Sequence, residues 1–115
     1  MKYIKKFENI NKSPEVGDYV LMRSDSKNKG FNIFINNNIG QVVINIGTHL
    51  ITIKYDNINL NNQTRSKFFV YDNIVESYVK TFNIDKVVVF SKNKEDIENF
   101  IKNPDLYQSA NKYNL

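Results

Sequence analysis

Two runs of alternating residues that meet at Gly47-Thr48 constrain the fold of this chain more than any other feature. Apolar residues recur at alternate positions over residues 41–46, and the alternation resumes over residues 49–55. A period of two is typical of β-strands that are buried on one face. Glycine at the first position of a two-residue connection favours a type II′ hairpin turn. The sequence therefore predicts a β-hairpin over residues 41–55.

The turn also predicts the register of the hairpin and its buried face. The predicted pairs are Ile46 with His49, Ile44 with Ile51, and Val42 with Ile53. In this register the large apolar side chains of these pairs share one face, and only His49, at the turn end, is not apolar. The pairs Gln41/Lys54 and Asn45/Leu50 then lie on the other face.

Three further segments are typical of strands. In Val16–Met22, Gly17 indicates a turn that leads into a first strand. Phe68–Tyr71 and Lys86–Phe90 are the others. The unbroken apolar run in the last of these predicts a strand that is buried on both faces.

Other segments allow more than one interpretation. Residues 31–35 are compatible with a short strand or with a helical turn. Residues 74–82 fit a helical stripe, but their β-branched and aromatic content favours a strand over Ser77–Asn83. The polar segments 24–30 and 56–67 are predicted to be loops.

A single clear helix is predicted over about residues 93–102. Asn93 can cap its N-terminus, and Glu95 and Asp96 are favourably placed in the first turn. Pro104 stops the helix. Its apolar face consists of Ile97, Phe100 and Ile101.

The length of 115 residues fits one domain with one modest core. We divide the chain into an N-terminal segment (1–12), a folded body with the helix (13–103) and a C-terminal tail (104–115). The absence of cysteine excludes disulfides, thiolate chemistry and Cys-based zinc sites. No run is apolar enough to span a membrane and no secretory signal is visible, so we expect a cytoplasmic protein that has no membrane contact.

The net charge of +4 resides mostly in the N-terminal segment. Four lysines against Glu8 give this segment +3, and residues 13–115 carry only +1. The bias towards Asn, Lys and Ile is that of A/T-rich codons, so part of the charge reflects the genome. Ile4 and Phe7 lie three residues apart, so the segment can form a short helix that docks on its own body or on a partner.

No constellation of residues indicates an active site. His49 is the only histidine, and we expect it to be a half-buried structural residue. The four glycines are too dispersed for a phosphate loop, and no set of residues has metal-ligand spacing. Paired carboxylates could meet in space, but each is typical of a turn or a solvated position: Asp18, Asp56, Asp72 and Glu76. We therefore expect no catalytic residue, metal or cofactor.

Two motifs resemble those of SH3-like small barrels, including the KOW type. They are Val16-Gly17-Asp18-Tyr19-Val20 and, after a polar loop, Ile39-Gly40-Gln41-Val42 with its hairpin partner. The resemblance covers residues 16–55 and implies a mainly β fold, an SH3-like small β-barrel with a C-terminal helix, closed by a strand near residues 87–90. KOW-type members commonly bind RNA or ribosomal and transcription partners. This chain lacks the basic loop of that motif.

The chain also resembles small uncharacterised proteins of AT-rich bacteriophages. The similar segments are the opening Met1–Glu8, the strand Gly17–Val20, the turn Asn37–Gly40 and the strand-to-helix junction Phe90–Asp96. This resemblance implies a phage-encoded protein, located in the host cytoplasm or the virion, but no activity.

Binding is the remaining class of function. Aromatic residues lie beside predicted loops, and all of them except Phe68 are assigned to a candidate recognition patch: Tyr19, Phe31, Phe34, Tyr55, Phe68, Phe69 and Tyr71. Filling of the core is the competing role for these rings. We predict a non-catalytic protein-interaction module, a phage-encoded accessory or virion-associated protein. The alternative is weak nucleic-acid binding through the same aromatics and the basic tail residues Lys2, Lys5, Lys6 and Lys12.

A short repeat accompanies these features. Tyr55-Asp56-Asn57-Ile58 recurs as Tyr71-Asp72-Asn73-Ile74. In a chain biased to Asn and Ile the repeat can be a coincidence, or it can be a duplicated turn at the end of a strand.

Overall fold

The computed structural model describes Lys5–Lys6 and residues 13–103. In this part of the chain the strands are β1 (Lys5–Lys6), β2 (Tyr19–Met22), β3 (Gly40–Ile44), β4 (Leu50–Tyr55), β5 (Val70–Asp72), β6 (Ser77–Asn83) and β7 (Val87–Ser91). The helices are α1 (Lys29–Asn37), α2 (Asn62–Phe68) and α3 (Lys94–Lys102), and a 3-10 helix spans Ile84–Lys86. A mainly β chain with a helix after the last strand is confirmed.

The strands form one antiparallel sheet in the order β1-β7-β2-β3-β4-β6-β5. β1 and β5 are the two edges, and no pairing between described strands joins them. The sheet is therefore open, and the closed SH3-like barrel is not confirmed.

Helices pack on both faces of the sheet. On one face α1 contributes three buried residues to the main core: Phe31, Phe34 and Ile35. On the other face α3 packs against β2 and β7, where Ile97 and Phe100 join a second, smaller core. Neighbouring residues of one strand point to opposite faces. Accordingly Val20 belongs to the main core and Leu21 to the second one.

The predicted hairpin is confirmed in part. Gln41 lies opposite Lys54 and Val42 opposite Ile53, as predicted. Beyond these pairs the register shifts by one residue. Ile44 therefore lies opposite Thr52 and not Ile51, and the connection comprises residues 45–49 instead of Gly47-Thr48 alone.

Local hydrogen bonds in the connection replace the expected strand pairing. The Asn45 carboxamide accepts from the Gly47 N–H and donates to the Pro14 carbonyl, and the Thr48 hydroxyl accepts from the Leu50 N–H. The extra residue at the bulge turns the following side chain to the other face of the sheet. Ile44 is consequently 46% exposed and Ile46 76% exposed, so their predicted place on the buried face is wrong.

Asparagine side chains cap the N-termini of α1 and α2. The Asn28 side chain accepts from the Phe31 N–H, which resolves residues 31–35 in favour of a helix. The Asn61 side chain accepts from the Thr64 N–H in the same way. The prediction of a loop throughout residues 56–67 is therefore wrong, because α2 begins at Asn62.

The strand predicted over Phe68–Tyr71 is correct only in part, because Phe68 ends α2 and β5 begins at Val70, whereas β6 and β7 agree with the sequence. β6 spans Ser77–Asn83, which confirms a strand in place of a helical stripe. β7 is buried on both faces, since Phe90 joins the main core and Val89 the second one. Helix α3 lies where it was predicted, but Asn93 makes no side-chain cap. The Ser91 hydroxyl instead accepts from the Asn93 N–H and donates to Asp96.

The N-terminal segment pairs with the sheet where it is described. Lys5 lies opposite Phe90 and Lys6 opposite Val89 in an antiparallel pair. A helix at these two residues is therefore wrong. Ile4, Phe7 and the C-terminal tail 104–115 lie outside the described residues.

Candidate functional site

The predicted recognition patch is divided between the core and the surface. Four of its rings are 6% exposed or less: Phe31, Phe34, Tyr55 and Phe69. They contact one another edge to face, with ring centroids 5.5–6.0 Å apart. Such pairs stabilise a packed core. These four residues are therefore corrected to core positions: Phe31 and Phe34 lie on the buried face of α1, Phe69 follows α2, and Tyr55 lies on the buried face of β4.

The two remaining residues of the patch lie far apart. Tyr19 is half-buried against the second core under α3. Tyr71 is 49% exposed on β5, with its ring 5.2 Å from that of Tyr78. Three strands separate β2 from β5, which corresponds to about 19 Å at the usual strand spacing. The structure does not bring Tyr19 and Tyr71 together, and their role in binding stays a prediction.

The Tyr55 hydroxyl is a buried polar group without a hydrogen-bond partner in the described part of the chain. Burial raises the pKa of Tyr55 well above its usual value. The hydroxyl therefore stays protonated and is enclosed by the main core, where no substrate can reach it. It has a cost for stability and no evident chemical role.

Strands β3, β4, β6 and β5 present a partly apolar surface on the face of the sheet that carries α3. We call it the open face, and it consists of Ile44, Leu50, Thr52, Val70, Val79 and Thr81. Direct strand pairs join Ile44 to Thr52, Thr52 to Thr81 and Val70 to Val79, and the hydroxyls of Thr52 and Thr81 lie 2.8 Å apart. Leu50 pairs with Asn83 and shares the face of Thr52, two residues along β4. Ile44, Leu50 and Val70 are 46%, 44% and 69% exposed. Since α3 packs on β2 and β7, this half of the sheet keeps exposed aliphatic side chains.

On the opposite face, beside α1, positive charges alternate with aromatic rings. We call this surface the cation–aromatic band: Arg65, Lys67, Phe68, Tyr71, Tyr78 and Lys80. The Arg65 guanidinium lies 5.2 Å from the Tyr78 ring centroid, and the Lys67 ammonium lies 5.6 Å from that of Phe68. The Lys80 ammonium lies 6.0 Å from the Phe68 ring and 5.6 Å from that of Phe31. Burial lowers the pKa of Lys80.

The charge of the folded body is segregated along the chain. Residues 26–71 carry five basic residues against Asp56 alone, which is a net +4. The rest of residues 13–103 carries −3. The near-neutral body inferred from composition is therefore an average over a basic part and an acidic part. The tail lysines Lys2 and Lys12 lie outside the described residues, and only the backbone of Lys5 and Lys6 is described.

One buried carboxylate joins the turn before β2 to the end of β7. Asp18 is 4% exposed, accepts from the Glu15 N–H and lies 3.0 Å from the Lys92 ammonium. Lys92 also lies 2.9 Å from Glu15. Hydrogen bonds to Glu15 and to Asp18 raise the pKa of Lys92 to about 12. The arrangement is a structural ion pair at a chain junction.

The other candidate catalytic groups occupy turns. His49 is exposed in the hairpin connection, so its predicted half-burial is wrong. Asp56 accepts from the Ser77 hydroxyl, and Asp72 accepts from the N–H groups that follow it in the turn. Across the described residues, no group of three or more His, Asp or Glu side chains could hold a metal ion. No described helix is long and apolar enough to cross a bilayer.

A cleft of about 470 Å³ lies between α3 and the adjoining ends of β3 and β4. Its lining combines asparagines with charges of both signs: Asn37, Asn38, Ile39, Asp56, Asn57, Lys94, Glu98, Ile101 and Lys102. This mixture contains no convergent set of groups for one ligand.

Comparison with known proteins gives no family for this chain: no protein-family model, no curated protein and no solved structure matches it.

Proposed function

We propose that this protein is a non-catalytic protein-interaction module and that its partner covers the open face. The observation that carries the proposal is the exposure of Ile44, Leu50 and Val70 on one sheet surface. An antiparallel sheet can leave one face in water, but that face is then normally polar. Exposed aliphatic side chains that are contiguous on a sheet are typical of an interaction site.

The chemistry of the open face favours a protein surface as the partner. Its aliphatic side chains surround two threonine hydroxyls that hydrogen-bond to each other. Lys54 and Gln41 pair at its margin, on the side towards β2. An apolar centre with a polar rim is the usual anatomy of a protein–protein interface. We therefore expect a partner with an apolar patch of its own.

Three finer expectations belong to the same proposal. SH3-like kinship is supported by the two motifs in residues 16–42, and a phage accessory or virion-associated role by the resemblance to phage proteins. The cytoplasmic location follows from the sequence. Each is an expectation from sequence alone.

Site-specific crosslinking in the producing cell tests the proposal. A photoreactive phenylalanine analogue at Leu50 or at Val70 should capture the same partner, identified by mass spectrometry. The substitution pair Ile44→Ser/Val79→Ser should abolish the capture. The control pair Val16→Ser/Ile33→Ser removes two aliphatic side chains of 63% and 64% exposure elsewhere and should preserve it. Equal loss with both pairs, or different proteins captured at the two positions, contradicts the proposal.

A further inference from the structure

The cation–aromatic band is separate from the open face. Successive residues of a strand point to opposite sides, so Tyr78 and Lys80 face one way and Val79 and Thr81 the other. The same alternation on β5 separates Tyr71 from Val70. A ligand of the band therefore has no contact with the open face, and each surface can be altered without the other.

The cations of the band have no carboxylate partner in the part of the chain that the structure describes. None of Arg65, Lys67 and Lys80 forms an ion pair with a carboxylate of residues 13–103. The chain contains no acidic residue over residues 57–71 or 77–84, which include α2 and almost all of β5 and β6. Elsewhere in the described chain, Lys86 and Lys92 do have carboxylate partners. A polyanion could therefore pair with these cations without displacing a carboxylate of the described chain.

The aromatic rings restrict which polyanion fits. Tyr71 is 49% exposed, whereas Phe68 and Tyr78 are half-buried, so Tyr71 is the most accessible aromatic residue of the three. The Phe68 and Tyr78 rings lie 5.2–6.0 Å from a cation, and the Tyr71 ring lies 5.2 Å from the Tyr78 ring. Unpaired bases stack on such rings while lysine and arginine contact the phosphates. A duplex keeps its bases stacked inside and cannot use the rings in this way.

From this arrangement we infer that the cation–aromatic band binds single-stranded nucleic acid, with Arg65, Lys67 and Lys80 on the phosphates and Tyr71 beneath a base. Contacts with backbone and ring faces carry no base code. The binding is therefore tolerant of sequence and weakens as salt rises. An acidic peptide would use the same cations but gain little from the rings.

Fluorescence anisotropy with labelled dT20 and rU20 oligonucleotides tests the inference on the full chain. Arg65→Gln/Lys67→Gln should weaken binding at 100 mM salt by about 10-fold and lower the slope of log affinity against log salt by about 1.4. Lys94→Gln/Lys102→Gln removes the same charge from α3 and should change affinity by less than about twofold. Equal losses from the two pairs would show attraction by net charge alone and overturn the inference.

Two more comparisons separate the ring and the tail contributions. Tyr71→Ser should weaken binding about fivefold without changing the salt slope, whereas Ile74→Ser at the neighbouring turn should have no effect. Lys2→Gln/Lys12→Gln tests the basic N-terminal segment; if it abolishes binding while Arg65→Gln/Lys67→Gln does not, the site is the tail. Displacement of dT20 by poly-glutamate at equal charge would assign the band to acidic peptides instead.

Folding controls keep these outcomes distinct. Circular dichroism should show native melting for every variant, and Lys67→Gln alone, at an exposed position, replaces the double variant if Arg65 proves necessary for folding. Failure of dT20 and rU20 to bind the wild-type chain would overturn the inference. It would leave the proposed protein partner of the open face unaffected, since the two surfaces share no residue.

Discussion

The two Tyr-Asp-Asn-Ile segments flank the same strand, yet they differ in burial. Tyr55 on β4 and Tyr71 on β5 both lie opposite Tyr78 of β6. Tyr55 is 2% exposed and Tyr71 is 49% exposed. The last residues differ likewise, since Ile58 packs against the main core and Ile74 is 92% exposed.

The difference comes from the neighbours and not from the segments themselves. β4 lies between β3 and β6, and Phe34 of α1 lies edge-on to the Tyr55 ring at 5.5 Å. β5 is an edge strand with one neighbour. The turns also differ, because the left-handed residue is Asn57 in the first segment and Glu76 after the second. The two segments therefore occupy equivalent positions at the end of a strand, but the turns that follow them have different backbone conformations.

The largest effect in this comparison should come from the glycine that makes room for the Tyr55 ring. A Cβ on Gly40 would overlap the Ile53 side chain and lie 3.0 Å from the Tyr55 ring. Gly40→Ala should lower the free energy of unfolding by about 1–3 kcal/mol, because the core has no space to relax. Gly30→Ala, in α1, where a Cβ would make only an ordinary contact at 3.5 Å with the Asn28 side chain, should raise it by about 0.5–1 kcal/mol. Urea unfolding measures both, and equal changes at the two sites would contradict the packing argument.

The second prediction concerns the hydroxyl of Tyr55, which is buried, whereas that of Tyr71 is on an exposed side chain. Tyr55→Phe removes an unsatisfied donor from the core and should stabilise the fold by about 1 kcal/mol. Tyr71→Phe should change stability by less than about 0.5 kcal/mol, because its hydroxyl is on an exposed side chain. Thermal and urea unfolding of both variants provide the measurement. A destabilised Tyr55→Phe would mean that the hydroxyl is hydrogen-bonded in solution.

Sequence periodicity correctly predicted those elements whose conformation depends on residues close to them in the sequence. β6 was correct because β-branched and aromatic residues outweigh a helical stripe there, and the pairs Gln41/Lys54 and Val42/Ile53 followed from simple alternation. The bulge was not predictable, since Asn45 is held by Pro14, 31 residues away. An Asn-rich run likewise concealed the Asn61 cap of α2.

Neither candidate surface was visible in the sequence, and the reasons are physical. The predicted register placed Ile44 in the core, so no exposed aliphatic face was expected. The cation–aromatic band draws Lys67 from a predicted loop and Lys80 from a strand, and only the fold brings both to the Phe68 ring. One signal was available: residues 57–71 contain no acid, a fact hidden when charge is summed over the whole body.

The smallest effect should distinguish the two segments most clearly, because the same substitution, Asn to Gly, should stabilise the fold in one segment and destabilise it in the other. Asn57 has φ of 53°, where glycine is free of strain, whereas Asn73 has no positive φ. Asn57→Gly should therefore stabilise the fold by about 0.5 kcal/mol, and Asn73→Gly should destabilise it by about 0.5 kcal/mol through the greater freedom of the unfolded chain. Parallel urea titrations resolve a difference of this size when the m-values agree. If both variants shift in the same direction, the two turns have the same backbone conformation in solution, and the repeat is a duplicated turn after all.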